Sequence, residues 1–270
     1  MYRYISLQTL RGGVTSAKNV HAGKGAPIMG DHTQPPTPMS KHTLLGQVRA
    51  VLTGTIRPLG DRQVPSAIDK QPRYGPQQVR LLGLTGDEQA DRRVHGGIDK
   101  AVHCYAWSHY AWWRERYPQQ PLFGQPGAFG ENLSLDGMTE DDVCIGDILQ
   151  IGSASFAVSQ GRQPCFKLNL RFGIPDMAMQ VQDSLRAGWY LRVLQEGSLQ
   201  AGDGVYLLER NWPDYSVARL LALIRDRETR PKVLEPLLQL PLPESWRKLF
   251  ARRLEVAEVE DWGRRMRGSD

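Results

Sequence analysis

Between residues 45 and 210, apolar residues fall in short runs, many alternating with polar ones and separated by Gly, Pro, Asn or Asp. The runs at 47–56, 78–84, 101–105, 147–152, 155–160, 189–195 and 205–209 predict strands, because a period of two puts one face of a strand on a core. Many short strands with Gly punctuation predict a closed or nearly closed barrel, which leaves no unpaired edge. Two helices interrupt it. Trp107, Tyr110, Trp113 and Tyr117 recur near helical spacing and predict a helix with an aromatic face on the barrel. Residues 176–186 predict a second, with Asp176 as N-cap after Pro175.

After Asn211-Trp212-Pro213 the period becomes helical. Val217, Leu220, Leu221 and Ile224 form one stripe, Val233, Leu234, Leu237 and Leu238 a second, and Trp246, Leu249, Phe250 and Leu254 a third, separated by Pro231, Pro241 and Pro243. The expected fold class is α+β, mainly β: a barrel domain over 43–213 with peripheral helices, then a small three-helix unit over 214–270. Residues 1–42 mix Gly, Pro, Thr, Ser and His with little apolar periodicity. Such a segment buries too little apolar surface to offset its ordering entropy, which predicts a disordered or dispensable extension. Met29 and Met39 within it are candidate downstream starts.

The net charge of +5 invites a nucleic-acid reading. Its distribution argues against one. Residues 1–43 carry five Lys/Arg and one Asp, 44–213 carry 17 basic and 18 acidic residues, and 214–270 carry 12 and 10. A near-neutral barrel encodes no basic groove for a nucleic-acid polymer, and the balanced last segment gives no support to a helix-turn-helix reader. Cys104, Cys144 and Cys165 are too few and too dispersed for a disulfide framework or paired zinc spacing. Apolar runs such as 220–224 fall well short of the roughly 20 residues that span a bilayer, so no membrane contact is expected. With no apolar signal stretch of ~7–15 residues at the start, the expected location is cytoplasmic.

Candidate chemistry centres on Cys165, in Ser159-Gln160-Gly161-Arg162-Gln163-Pro164-Cys165-Phe166-Lys167-Leu168. An unperturbed thiol ionises near pH ~8.5, and flanking Arg or Lys favours the thiolate, the form that attacks electrophiles or binds soft metals. A buried, inert cysteine is the alternative. Two further segments run in order before it: Gly86-Asp87-Glu88 through His95-Gly96-Gly97-Ile98-Asp99-Lys100, and Gly127-Ala128-Phe129-Gly130-Glu131-Asn132-Leu133. Together the three resemble the MOSC family, the molybdenum cofactor sulfurase C-terminal domain, and most of all its stand-alone bacterial members of the YiiM type. The resemblance spans residues 45–210, and the helical tail resembles the module that follows the domain in those members.

The resemblance implies a β-barrel that binds a molybdopterin-type molybdenum cofactor, with Cys165 as metal ligand and catalytic residue. It further implies reduction of N-hydroxylated compounds, such as the base 6-hydroxylaminopurine, to the amine and water. Such a cofactor needs a soft ligand, close backbone approach and cations. Cys165 meets the first need, Gly96, Gly97 and Gly130 the second, and Arg162, Lys100 and Lys167 the third. His95 either acts on the pterin or leaving hydroxyl, as a catalytic group, or holds the Gly-Gly turn. Asn132 can both donate and accept at a pterin edge, whereas Asp87 and Glu131 either join it or pin loops. Cys104 and Cys144 lack flanking cations and read as structural. No cysteine cluster for an iron–sulfur centre occurs, so the electron donor is expected to be a partner flavoprotein. A non-catalytic cofactor or sulfur carrier with a persulfide on Cys165 is the competing function; a cysteine hydrolase lacks a supporting triad. Deleting residues 1–42 should leave the melting temperature and metal content unchanged, as measured by calorimetry and metal analysis.

Overall fold

Seven strands carry the fold in the computed structural model, which describes residues 42–90 and 96–268. They are β1 (Thr43–Thr53), β2 (Val102–Ala106), β3 (Leu133–Asp136), β4 (Ile148–Ile151), β5 (Ala154–Gly161), β6 (Trp189–Gln195) and β7 (Gly204–Glu209). Their hydrogen-bonded order is β7-β4-β5-β6-β2-β3-β1, and β1 pairs back onto β7. That last pairing closes the barrel. The 11-residue β1 serves both barrel neighbours by bulging, with register shifts at Leu44/Gly46 and Val48/Ala50, and its end also pairs with the short strand Gln71–Arg73. The predicted extension and His95 lie outside the described residues.

All barrel pairs are antiparallel except β2–β3, which is parallel. A parallel pair cannot be joined by a tight turn, so the chain crosses over through α1 (Ser108–Arg116). The aromatic spacing is borne out there. Tyr110 and Trp113 are buried with Tyr105, Phe123 and Phe129, Tyr105 stacks on Phe129 at 4.2 Å, and Trp113 Nε1 donates to Tyr105 Oη at 2.8 Å. Because this cluster covers the outer face of β2, all five of its residues are buried, and the strand shows no in-out alternation.

The 78–84 run behaves differently from its pattern. It folds as a hairpin of Gln77–Arg80 and Gly83–Leu84 in a side sheet with Gly197–Leu199, outside the barrel. Gly83 forces the turn: its φ is +124°, and a Cβ there would collide with the Ala101 carbonyl. Several elements had no sequence signal. Among them, strand β3 begins at the last residue of the Gly-Glu-Asn-Leu motif, and α2 (Lys167–Phe172) starts two residues after Cys165. The second predicted helix is α3 (Met177–Ser184); Asp176 occupies its N-cap position, but its carboxylate accepts from Gln180 Nε2 and makes no side-chain cap bond.

The tail contains α4 (Val217–Arg225), α5 (Pro231–Leu234), α6 (Glu244–Val256) and a short α7 (Gly263–Arg267). Ser216 caps α4 by accepting from the Arg219 N–H at 3.2 Å. All four α4 stripe residues are buried, and a Cβ on Gly161 of β5 would lie only 2.7 Å from Leu221 Cγ. Barrel and tail share one hydrophobic cluster. Among the described residues no helix is long and apolar enough to cross a membrane. Trp246 is 1% exposed and packs edge-on to Phe250 at 6.0 Å. Trp246→Ala should cost about 3–5 kcal/mol in denaturant unfolding, and Trp246→Phe less, because it keeps a ring and removes an indole N–H that has no partner among the described residues.

Candidate functional site

Loops gathered at one part of the barrel enclose a pocket of about 100 Å³. Of the residues expected from sequence, Cys165, Arg162, Lys167, Lys100, Asn132, Gly130 and Asp87 line it. Gly96 and Gly97 are not among its lining residues. Gly97 has φ +93° with nothing within 4 Å of where a Cβ would stand, so glycine there serves the turn into the 3-10 segment Ile98–Lys100 rather than close approach. Gly130 makes the close approach, to Ile68: its φ is +75°, and a Cβ would lie 2.7 Å from Ile68 Cγ1. Lys70, His103, Tyr190, Phe129 and Ser66 also line the pocket without having been foreseen.

The frame is a buried polar hub. Asp87 Oδ1 accepts from the Gly54 N–H at 2.8 Å and from Lys70 Nζ, and its Oδ2 accepts from Asn132 Nδ2 at 2.9 Å. Asn132 Nδ2 also donates to the Leu52 carbonyl at 3.1 Å, while its Oδ1 accepts from the His103 N–H at 3.0 Å. Its amide is thereby committed to holding β1 and β2 together. Glu131 faces away from ligand chemistry. It accepts from Tyr110 Oη and from the N–H groups of Gly127 at 2.8 Å and Phe129 at 3.2 Å, pinning the loop that carries Gly130.

Four cations, Lys70, Lys100, Arg162 and Lys167, line the pocket with two carboxylates, Asp87 and Glu88. Lys70 is neutralised by Asp87, and burial lowers its pKa against the pull of that carboxylate. Burial also lowers Lys100, whose charge Asp99 and Cys165 favour. The 3-10 turn that carries Lys100 is held by Ser159 Oγ, which lies 2.6 Å from the Asp99 carbonyl, and by the Asp99–Arg192 ion pair. Ser159 can reach it because β5 bulges between Val158 and Gln160. Lys167 Nζ donates to the Pro65 carbonyl at 2.9 Å. Arg162 is 6% exposed, its N–H donates to the Gly188 carbonyl at 2.9 Å, and its Nη1 is buried without a partner among the described residues. A buried guanidinium nitrogen without an acceptor favours an anion.

His103 lies on β2 and also lines the pocket, with Nε2 buried and without a partner among the described residues and its ring tilted on Tyr190 at 5.0 Å. Burial first, then the charge of Arg162, lowers its pKa to about 3. A lone His inside an apolar strand run was its only sequence signal. Cys165 is partly exposed, whereas Cys104 and Cys144 are buried outside the pocket lining; burial raises both of their pKa values. The His103 shift has a sign. The unfolded chain takes up this proton near pH 6.5 and the folded one near 3, so the stabilisation is complete above pH 6.5 and is lost as pH falls toward 3. Thermal melts of His103→Gln should therefore show a shallower loss of melting temperature than wild type between about pH 6.5 and pH 5, above most carboxylate titrations.

Comparison with known proteins gives matches along most of the chain. A family model described as the MOSC domain matches residues 91–206, and one described as the YiiM-like, 3-alpha helix domain matches 216–257. Protein YiiM of Escherichia coli is 39% identical over 220 residues, which are 81% of this chain and 97% of that protein. A protein of Gibberella moniliformis named "Reductase" is 40% identical over 225 residues; these are 82% of this chain but only 39% of that protein. The crystal structure of YiiM from Geobacillus stearothermophilus superposes with TM-score 0.66 at 35% identity, covering 77% of this chain and 99% of that one. YiiM from Escherichia coli gives 0.67 at 33% identity, covering 78% and 98%.

Proposed function

Because the chain belongs to the MOSC-domain family, with the YiiM-like three-helix module after the domain, we propose that it is a molybdenum-cofactor-dependent reductase of N-hydroxylated small molecules. Hydroxylated purine bases such as 6-hydroxylaminopurine are the favoured substrates, and their detoxification the use. One observation carries this reading: a partly exposed cysteine and a buried guanidinium nitrogen with no partner among the described residues share one small pocket. The name of the fungal relative supports the redox half.

The residues suit a molybdopterin-type group. Arg162 offers its phosphate a planar fork, and Lys100 and Lys167 offer point charges. Among the described residues no cluster of three or more His, Cys, Asp or Glu would hold an ion unaided. A metal that arrives with dithiolene sulfurs needs no such cluster, only a soft ligand such as the Cys165 thiolate. When bound, the cofactor would supply the two-electron redox centre.

Reduction of R–NH–OH to R–NH2 and water consumes two electrons and two protons. A flavoprotein partner supplies the electrons, since three separated cysteines cannot hold an iron–sulfur cluster. The protons have nearer sources. Lys70 and Lys100 line the pocket, and burial makes each release a proton more readily than a surface lysine. His103 is neutral above about pH 3 and contributes shape and a dipole.

The test is turnover of 6-hydroxylaminopurine with a chemical or flavoprotein electron source, alongside circular dichroism and metal content. Cys165→Ser should fold yet lose roughly 100-fold or more in turnover, because a hard, poorly ionised oxygen replaces a soft sulfur. Arg162→Met should fold and lose bound molybdenum, and Cys144→Ala should retain both properties. Wild-type turnover in Cys165→Ser would falsify the ligand role. A mass increment of one sulfur on Cys165 in active-site peptides, without metal, would favour the sulfur carrier instead.

A further inference from the structure

One residue brackets Cys165 from both sides. The carbonyl of Pro164, just before it, accepts from Arg265 Nη1 at 2.7 Å, and the N–H of Phe166, just after it, donates to the Arg265 carbonyl at 2.8 Å. Arg265 Nη2 donates to Gln182 Oε1 at 2.7 Å, which ties the same guanidinium to α3. Neighbouring groups complete the attachment. Asn169 Nδ2 of α2 donates to the Met266 carbonyl at 2.9 Å, and a Cβ on Gly268 would stand 3.1 Å from the Phe166 ring.

The segment is anchored at its other side as well. Trp262 and Met266 are buried, and Trp262 Nε1 donates to Glu260 Oε1 at 2.8 Å. Glu260 in turn holds Arg253, which is 1% exposed and donates to the Leu223 and Glu228 carbonyls at 3.2 Å each. Burial raises the Glu260 pKa, but the bonds from Arg253 and Trp262 outweigh it and keep the carboxylate ionised. Residues 262–268 lie beyond both matched family regions, which end at 206 and 257.

We propose that residues 262–268 form a clasp that sets the position of the Cys165 sulfur, with Arg265 as its positioning residue. The Cys165 loop needs such a hold. Residues 163–165 lie between β5 and α2, outside both; the Leu168 N–H donates to the Cys165 carbonyl at 3.0 Å, which holds only the end of the loop next to α2. Pro164 has no N–H to bond with. A planar guanidinium with acceptors on two elements restrains the loop in orientation, which a single ammonium would not. The proposal rests on Cys165 being the working sulfur of the pocket.

Hydrogen exchange on the metal-free full chain tests it, together with the electron paramagnetic resonance line shape of a nitroxide on Cys165. In Arg265→Gln the peptide over 163–169 should exchange about tenfold faster, the scale of a lost charged hydrogen bond, with barrel peptides unchanged. The nitroxide should pass from immobilised to mobile. Arg267→Gln, which removes an equal charge from an exposed neighbour, should match wild type, and Arg265→Lys should fall between the two. If Arg265→Gln does not fold, Arg265→Lys decides: faster exchange confined to this peptide supports the clasp, and wild-type exchange overturns it. Wild-type behaviour of a folded Arg265→Gln, or an equal rise in every barrel peptide, overturns it too. These readings need no molybdenum, so loss of the clasp and loss of the cofactor assignment are separate results.

Discussion

The Asp87 carboxylate is enclosed by donors from three distant parts of the chain: the Gly54 N–H after β1, the Lys70 ammonium in the loop beyond it, and the Asn132 amide before β3. A carboxylate this buried is tolerated only with its donors in place, and removing one partner of such a pair typically costs about 3–5 kcal/mol. Asn132 spreads the constraint by also bonding Leu52 and the His103 N–H. One polar hub therefore fixes β1 against β2 and sets where Lys70 and His103 meet the pocket.

The parallel β2–β3 pair supplies the second constraint. Its crossover must pass over the barrel, and it does so as an aromatic layer whose buried polar ends are all answered: Trp113 by Tyr105, and Tyr110 by Glu131. Glu131 then holds the loop N–H groups of Gly127 and Phe129. Packing on the outside of β2 and loop geometry at the pocket are thus the same structure. A change to the aromatic layer reaches Gly130 through one carboxylate.

Electrostatics divides the pocket's cations by task. Lys70 is answered by Asp87, whereas Arg162 keeps a buried nitrogen without an acceptor among the described residues. Leaving such a donor unsatisfied costs about 1–3 kcal/mol, a cost that an anionic ligand would remove. The same field, with burial, holds His103 neutral and keeps a further positive charge out of the pocket. Cys165 stands beside this field on a loop held by a segment from the far end of the described chain.

Local pattern was enough for much of this protein. Period-two runs located six of the seven barrel strands, the aromatic spacing located α1, and the apolar stripes located the tail helices except α7, because each signal is carried by residues close in sequence. Cys165, Arg162 and Lys167 in one motif and Lys100 in another were legible as a thiol and cations, and they do line one pocket. The roles of Asn132 and Gly97 were not. Whether an amide faces a ligand or spends its bonds on Leu52, Asp87 and His103 depends on strands that meet only in the folded chain. Lys70 and His103 had no flanking signal for the same reason. The grip of Arg265 on Pro164 and Phe166 spans about 100 residues of chain. Sequence spacing is informative only over the few residues that a turn or a strand couples, whereas a hydrogen bond between remote segments exists only once the barrel has closed and brought them within 3 Å.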